Sequence, residues 1–416
     1  MKRAMIRRLT EHTGKCLYGE FHVLPLKINN FKHMKYTSKE RVNAAMNMQK
    51  PDRVPLMCQF SIGSMLHQLK PDPVEFWYDK NVFADGLIEL CKTFNFDGIL
   101  VSLHGHSDKW KEKLIKREKT AGGDIQLTFE DRTELHSFSD LPFVTFNEKR
   151  ENPGIDEIDI DKDVPSVIDY IPVSGNLYFD LDTSNLFEIF DILYNQVGET
   201  YSIHGEITSP FDYFLDLLGY ENGLLALIMD PEKCKSVLDK FSKGITEIAE
   251  KMCDKPIDAI KISSPFAGMG FISLEQYREF VLPYEQRIIK AIRDKGKHAY
   301  IHTCGSIGDR LELMGESHAS GLECLDPPPV GNVNLQNAFE RIGEDLFIKG
   351  NIDSVNSLLY GDDEKAQANV RQIIETGKTK GKGFILSTAC SIAPKVSKER
   401  LLMLSQLVDK YGAYSS

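Results

Sequence analysis

The chain has 416 residues, 42% hydrophobic and 27% charged, with a formal charge of −11. That supplies apolar material for one large α/β domain or two medium ones, and the acidic balance excludes a general nucleic-acid binder, which would carry a basic face. No apolar run is long enough to span a membrane, and eight dispersed cysteines suit a reducing, cytoplasmic compartment rather than a disulfide framework.

The first 35 residues are basic but lack the apolar centre of a secretory signal. Met34 stands just before a clean helix signal, so residues 1–35, with Cys16, read either as an N-terminal extension capping the fold or as an overcalled start. Thr37 and Glu40 then form a capping-box pair ahead of a helix that stops before Pro51. Residues 53–60 (RVPLMCQF) read as a first strand, 73–95 as helix and 97–103 (DGILVSL) as strand. The alternation over 124–138 predicts an inserted β-hairpin, and the acidic run 152–165 predicts a solvated connection.

From residue 186 the rhythm is regular. Helix 186–197 leads into strand 201–205, and helices fill 211–253. Five strands follow, at 258–264, 298–303, 321–326, 345–351 and 383–389, with helices at 273–295, 334–342, 362–377 and 397–411. Strands alternating with helices imply parallel pairing with right-handed crossovers. About eight such strands predict a (β/α)8 TIM barrel, with the N-terminal extension and the hairpin as additions, and residues 36–416 as one domain.

In such a barrel chemistry gathers at the carboxyl ends of the strands. His302 and Cys304 stand two apart in AYIHTCGSIGD, so they share a face. Imidazole and thiolate together suit zinc. A third ligand must come from another strand end, and Cys390 in ILSTACSIAP supplies it. Three ligands leave an open position, the pattern of catalytic zinc, and Glu323 is placed as a weak fourth. The competing reading is a hydrogen-bonded histidine beside core cysteines. Two cysteinates neutralise Zn²⁺, so a bound substrate thiolate would keep its sulfur electron-rich, which suits attack on a methyl group.

Several segments carry a family resemblance: TSKERVNAAMNMQKPDRVPL, GEITSPFDYFLDLLGYENGLLALIMDPEKC, SSPFAGMGF, IHTCG, LDPPPVGNVNL and GFILSTACSIAP. Over residues 36–414 the chain resembles the uroporphyrinogen decarboxylase-like superfamily. Within it the chain is similar to the zinc- and corrinoid-dependent methyltransferases, which include methylcobalamin:coenzyme M methyltransferases. The resemblance implies a (β/α)8 barrel and a His-x-Cys…Cys zinc motif at His302, Cys304 and Cys390, with a zinc-associated glutamate matched by Glu323. It implies methyl transfer between methylcobalamin or a corrinoid protein and a thiol or tetrahydrofolate acceptor.

The metal-free decarboxylases of the same superfamily share PDRVP but follow it with arginines that grip carboxylates. Here no arginine occurs from residue 54 through 116, and DGILVSLHGH lacks the decarboxylase aspartate. A non-catalytic barrel that binds a corrinoid protein is a third reading. No Asp-x-His-x-x-Gly cobalamin module is present, so cobalt is expected on a partner or as a free cofactor. His104, His106, Glu206, Ser263 and Asn351 stand at or just past the ends of predicted strands and are expected at the barrel mouth as pocket residues. Cys58, Cys91, Cys234, Cys253 and Cys324 read as core or surface thiols.

Overall fold

A computed structural model describes residues 36–148, 152–174 and 177–414. The expectations for residues 1–35, including Cys16, lie outside the described residues. Seven parallel strands form one sheet in chain order: β1 (Gly98–Val101), β2 (Ser202–Thr208), β3 (Ala259–Ser263), β4 (His298–Thr303), β5 (Gly321–Cys324), β6 (Phe347–Ile352) and β7 (Phe384–Thr388). Their residues are buried almost throughout, as a parallel sheet covered by helices requires. No helix among the described residues is long and apolar enough to cross a membrane.

The segment 53–60, expected as a strand, is extended but pairs only through isolated bridges. Pro55 offers no N–H, and the Leu56 N–H donates to the Asp97 carboxylate instead of to a ladder. The segment nevertheless joins the two sheet edges. Met57 N–H donates to Leu386 O of β7 (2.9 Å), and Asp97 N–H, just ahead of β1, donates to Leu56 O (2.7 Å). Asp97 is fully buried and also accepts from Arg41 and Arg53, each at 2.7 Å, while Arg41 holds Asp52. The PDRVP motif is thus consumed in a buried ionic knot that ties the first helix to the sheet. That helix, Ser38–Met46, begins with the expected capping box. Its Val42, Ala45 and Met46 pack with Met57, Leu100 and Tyr300 in one apolar cluster.

The helices between strands bury one face against the sheet. Helices Asp363–Lys380 and Lys398–Tyr411 fall close to where the periodicity puts them. Two predicted helices are each two. Asp79 caps Lys80–Thr93 after Pro73–Tyr78, and Val281 separates Leu274–Phe280 from Leu282–Asp294, which carries Pro283 in its first turn.

Between β1 and β2 the chain builds more than a hairpin. Ile125–Thr128 and Arg132–His136 are the middle pair of a four-stranded antiparallel sheet whose outer strands are Lys116–Lys119 and Phe143–Phe146. A second antiparallel pair, Tyr170–Ser174 with Leu177–Asp180, was not legible in the pattern. The acidic run 152–165 is not simply solvated, because Ile155, Ile158 and Val164 between its acids are buried in the main core.

Candidate active site

Strand register alone builds most of the site. Across parallel strands, Cα partners point their side chains to the same face. Glu206 pairs with Lys261, and Lys261 with Tyr300. One layer further on, Ser263 pairs with His302, His302 with Glu323, and Glu323 with Lys349. Of these, Glu206, Lys261, His302, Glu323 and Lys349 form one polar network with Gln59. Lys261 donates to Gln59 Oε1 (2.6 Å) and lies 3.1 Å from Glu206 and 3.5 Å from Glu323, and Lys349 donates to Glu323 Oε1. Both lysines are fully buried, so their charges persist only because carboxylates face them. Burial would push the Glu323 carboxyl up. Lys349, Lys261 and the His302 hydrogen bond outweigh it and hold Glu323 well below the usual carboxylate range.

The His302 Nδ1–H donates to Glu323 Oε2 (2.9 Å), which leaves Nε2 aimed at Cys304 Sγ, 3.2 Å away. Cys304 Sγ is 3.6 Å from Cys390 Sγ, and one ligand atom from each of the three residues lies within 4.8 Å of the others. Hydrogen bonding from Cys324 and Cys390, and the charge of His302, hold the Cys304 thiol well below its usual range against the opposing effect of burial. Burial alone would lower His302, but the Cys304 thiolate and the hydrogen bonds to Cys304 and Glu323 raise it to about 9. Cys390 is pushed well up by hydrogen bonding to Cys304 and by burial. The triple is therefore an imidazolium–thiolate pair with a thiol alongside. One imidazole nitrogen and two sulfurs, with the second nitrogen fixed by a carboxylate, is a donor set that fits zinc.

Glu323, expected as a possible ligand, stands on the far side of the His302 ring from the sulfurs. The carboxylate beside Cys304 is that of Asp326. Its Oδ2 accepts from Gly305 N–H (2.7 Å) and from the Cys324 thiol (3.1 Å), and Cys304, Cys324 and Asp326 form a second close group. Sequence reasoning passed over Asp326, the last residue of the predicted strand 321–326, and read Cys324 as a core or surface thiol.

A cavity of about 350 Å³ opens over the triple and is lined by His302, Cys304, Cys390, Glu206, Ser263 and Lys261, among others. Glu206 and Ser263 are thus on its wall. His104, His106 and Asn351 are not. His104 packs on Phe187 and His106 on Phe83 and Phe179, and burial lowers them to about 4 and about 3, so both are neutral core groups. His104 touches only a small adjoining void. Asn351 is buried and donates to Leu325 O (3.0 Å), bracing the turn after β5 instead of facing the mouth. Lys261 and Lys349 were missed. Their signal was available: a lysine inside an apolar parallel strand must have an internal partner.

These features define a TIM-barrel-like α/β protein with a thiol- and imidazole-walled pocket at the carboxyl ends of its strands. The uroporphyrinogen decarboxylase (URO-D) family model matches residues 157–411, well over half of the chain, and the chain belongs to that family. It is 22% identical over 376 residues to the methylcobamide:CoM methyltransferase MtbA of Methanosarcina acetivorans, covering 90% of this chain and 98% of that protein. It is 26% identical over 215 residues to a uroporphyrinogen decarboxylase of Chlorobium phaeovibrioides, covering 50% of this chain and 59% of that one. A solved methyltransferase structure from Methanosarcina mazei superposes with a TM-score of 0.67 at 18% identity, covering 91% of this chain and 99% of that one, and so shares the fold. The similarity to a methyltransferase thus runs over nearly the full length of both chains, whereas that to the decarboxylase covers about half.

Proposed function

We propose that this chain is a cytoplasmic, zinc-dependent methyltransferase that moves a methyl group between a corrinoid, free or on a partner protein, and a thiol or tetrahydrofolate acceptor. We take residues 36–416 as one domain, and the sheet with its 53–60 closure as a (β/α)8 barrel. The observation that carries the reading is the meeting of His302, Cys304 and Cys390 on a cavity wall, brought from the ends of β4 and β7.

His302 Nε2 and the sulfurs of Cys304 and Cys390 would hold the metal. Zinc bound there would lower the pKa of an acceptor thiol and keep it as a nucleophilic thiolate. Glu323 fixes the His302 ring and its tautomer. Lys261 and Lys349 balance Glu323, so the carboxylate stays ionised in a buried place. Trp77, Leu103, Ile171 and Phe266 supply an apolar part of the cavity wall.

A porphyrinogen decarboxylase is disfavoured by the same wall. Among the described residues, no arginine lines the cavity, while Asp140, Glu206, Asp212 and Asp216 do. A polycarboxylate would meet carboxyl groups and one already engaged lysine, with no arginine to grip it.

The test is zinc content of protein purified without chelator, together with methyl transfer from methylcobalamin. We expect about one zinc per chain, lost in Cys304→Ser. His302→Ala and Cys390→Ser should stay folded and lose activity by at least about a hundredfold. A zinc-free wild type, even after reconstitution, or full activity in both variants, would sink the proposal.

A further inference from the structure

We infer that Cys304 and Cys390 are also an oxidation site: peroxide closes a disulfide between them in metal-free protein, so that bound metal and disulfide are alternative states of the same two sulfurs. The competition with metal rests on the proposed function, whereas the disulfide rests on the cysteines alone.

Seven cysteines lie among the described residues, and all are free thiols. Cys58, Cys91, Cys234, Cys253 and Cys324 are buried, while Cys304 and Cys390 are partly exposed and line the main cavity. The two described thiols that a small oxidant can reach are therefore the two whose sulfurs lie 3.6 Å apart. Accessible thiols beside a resolving partner are the ones that oxidise reversibly. A disulfide brings its sulfurs to about 2.05 Å. Cys304 follows the last residue of β4 and Cys390 stands two past the end of β7, so neither is held in a strand ladder and a small movement closes the gap. Cys324 is the competing partner, for its sulfur is also near that of Cys304. It is fully buried and ends β5 in register with Thr303 and Gly350, and its thiol donates to Asp326 Oδ2 (3.1 Å). Strand and hydrogen bond hold it away from the cavity.

The chemistry balances with one molecule of peroxide. One thiol takes an oxygen from it: an S–O bond forms, the O–O bond breaks and a water leaves. The second sulfur attacks the resulting sulfenic acid: the S–S bond forms, the S–O bond breaks and a second water leaves. The two thiols give up two electrons, the peroxide accepts them, and both thiol protons depart in water. Of the triple, His302 alone then keeps a free donor atom, and a single imidazole does not make a zinc site. A dithiol reductant reopens the disulfide and restores the donor set. Metal uptake, and with it methyl transfer, is thereby tied to the redox state of the compartment.

The experiment treats chelator-stripped, full-length protein with hydrogen peroxide, caps the remaining thiols and maps linked peptides by mass spectrometry. The expected result is a link from Cys304 to Cys390 in the wild type and in Cys324→Ser, and no link from Cys304 in Cys390→Ser. The oxidised wild type should take up zinc to under about a tenth of the reduced level, and dithiothreitol should restore uptake. A link from Cys304 to any other cysteine overturns the inference. So does oxidation of the two thiols to sulfinic acids without a link, or undiminished zinc uptake by the linked protein. The wild-type map is decisive even if Cys390→Ser folds poorly. A reduced wild type that takes up no zinc while the link still forms would leave the oxidation site standing and refute the zinc reading of the function.

Discussion

Removing the charge of Glu323 should be among the costliest single changes in this protein. Its carboxylate faces two fully buried lysines, and only 2% of its own side chain is exposed, so solvent screening gives little discount. At an effective dielectric of about 20, two unit charges 3.5 Å apart attract by about 5 kcal/mol. Glu323→Gln forfeits that with Lys261 and strips Lys349 of the carboxylate it donates to. Lys261 keeps Glu206 at 3.1 Å, which softens its share. Breaking one side of a buried pair typically costs about 3–5 kcal/mol, and that is the expected loss by urea denaturation of metal-free protein at pH 7. The double variant Glu323→Gln with Lys349→Met removes the orphaned ammonium and should recover at least about 2 kcal/mol. The folded pKa of Glu323 lies below its unfolded value of about 4.3. Its contribution is therefore complete above that pH and lost as pH falls through the folded pKa. A single variant costing under about 1 kcal/mol, or a double variant at the sum of the singles, would refute the reasoning.

Zinc uptake should release protons. With His302 raised to about 9 and Cys390 held as a thiol, metal binding at pH 7 should displace about two protons, and apparent affinity should climb with pH, more steeply below about 9, where His302 titrates, than above it, where only the Cys390 proton remains to be displaced. Calorimetry in buffers of different ionisation enthalpy reads this directly, and no proton release would contradict the site electrostatics. Asp97→Asn should destabilise by about 3 kcal/mol or more, because Arg41 and Arg53 lose their shared buried partner; a loss below about 1 kcal/mol in thermal or urea unfolding would count against the knot. His106→Phe should leave stability within about 1 kcal/mol or raise it, with activity intact, since both ring nitrogens are buried without partners among Phe83 and Phe179. Lost activity with an intact fold would mean that His106 reaches the substrate after all.

What could be read in the sequence follows from what each signal encodes. The strands from 202 onward were legible because parallel strands buried on both faces are continuous apolar runs bounded by amphipathic helices. The triple at 302, 304 and 390 was legible because ligand-type residues ended two such runs. The segment 53–60 misled because its hydrophobicity marks burial, whereas its pairing is set by Pro55 and by Asp97, 41 positions from Leu56. His104 and His106 misled for the converse reason: being polar after a strand does not say which way a loop turns, and Phe83, Phe179 and Phe187 arrive from distant parts of the chain. Glu323 shows the finer limit. Its neighbourhood was foreseen, but its role depends on which imidazole nitrogen it meets, and no spacing rule carries that.

The two motifs behind the family resemblance therefore carry unequal weight for chemistry. PDRVP is spent on structure, with Arg53 on Asp97, Asp52 on Arg41 and Pro55 ending a ladder, and none of these side chains lines the cavity. Its role here is structural, and it does not separate decarboxylation from methyl transfer. IHTCG is spent on the cavity wall, and the buried residues behind it are committed to keeping His302 oriented and Glu323 ionised. Two desolvated lysines and a desolvated glutamate are costly to maintain in a barrel interior that apolar residues would fill more cheaply. A network of that kind is explained by what it holds in place, the His302 ring with Nε2 toward two sulfurs, and this is why the functional reading rests on the triple and its support instead of on the family name.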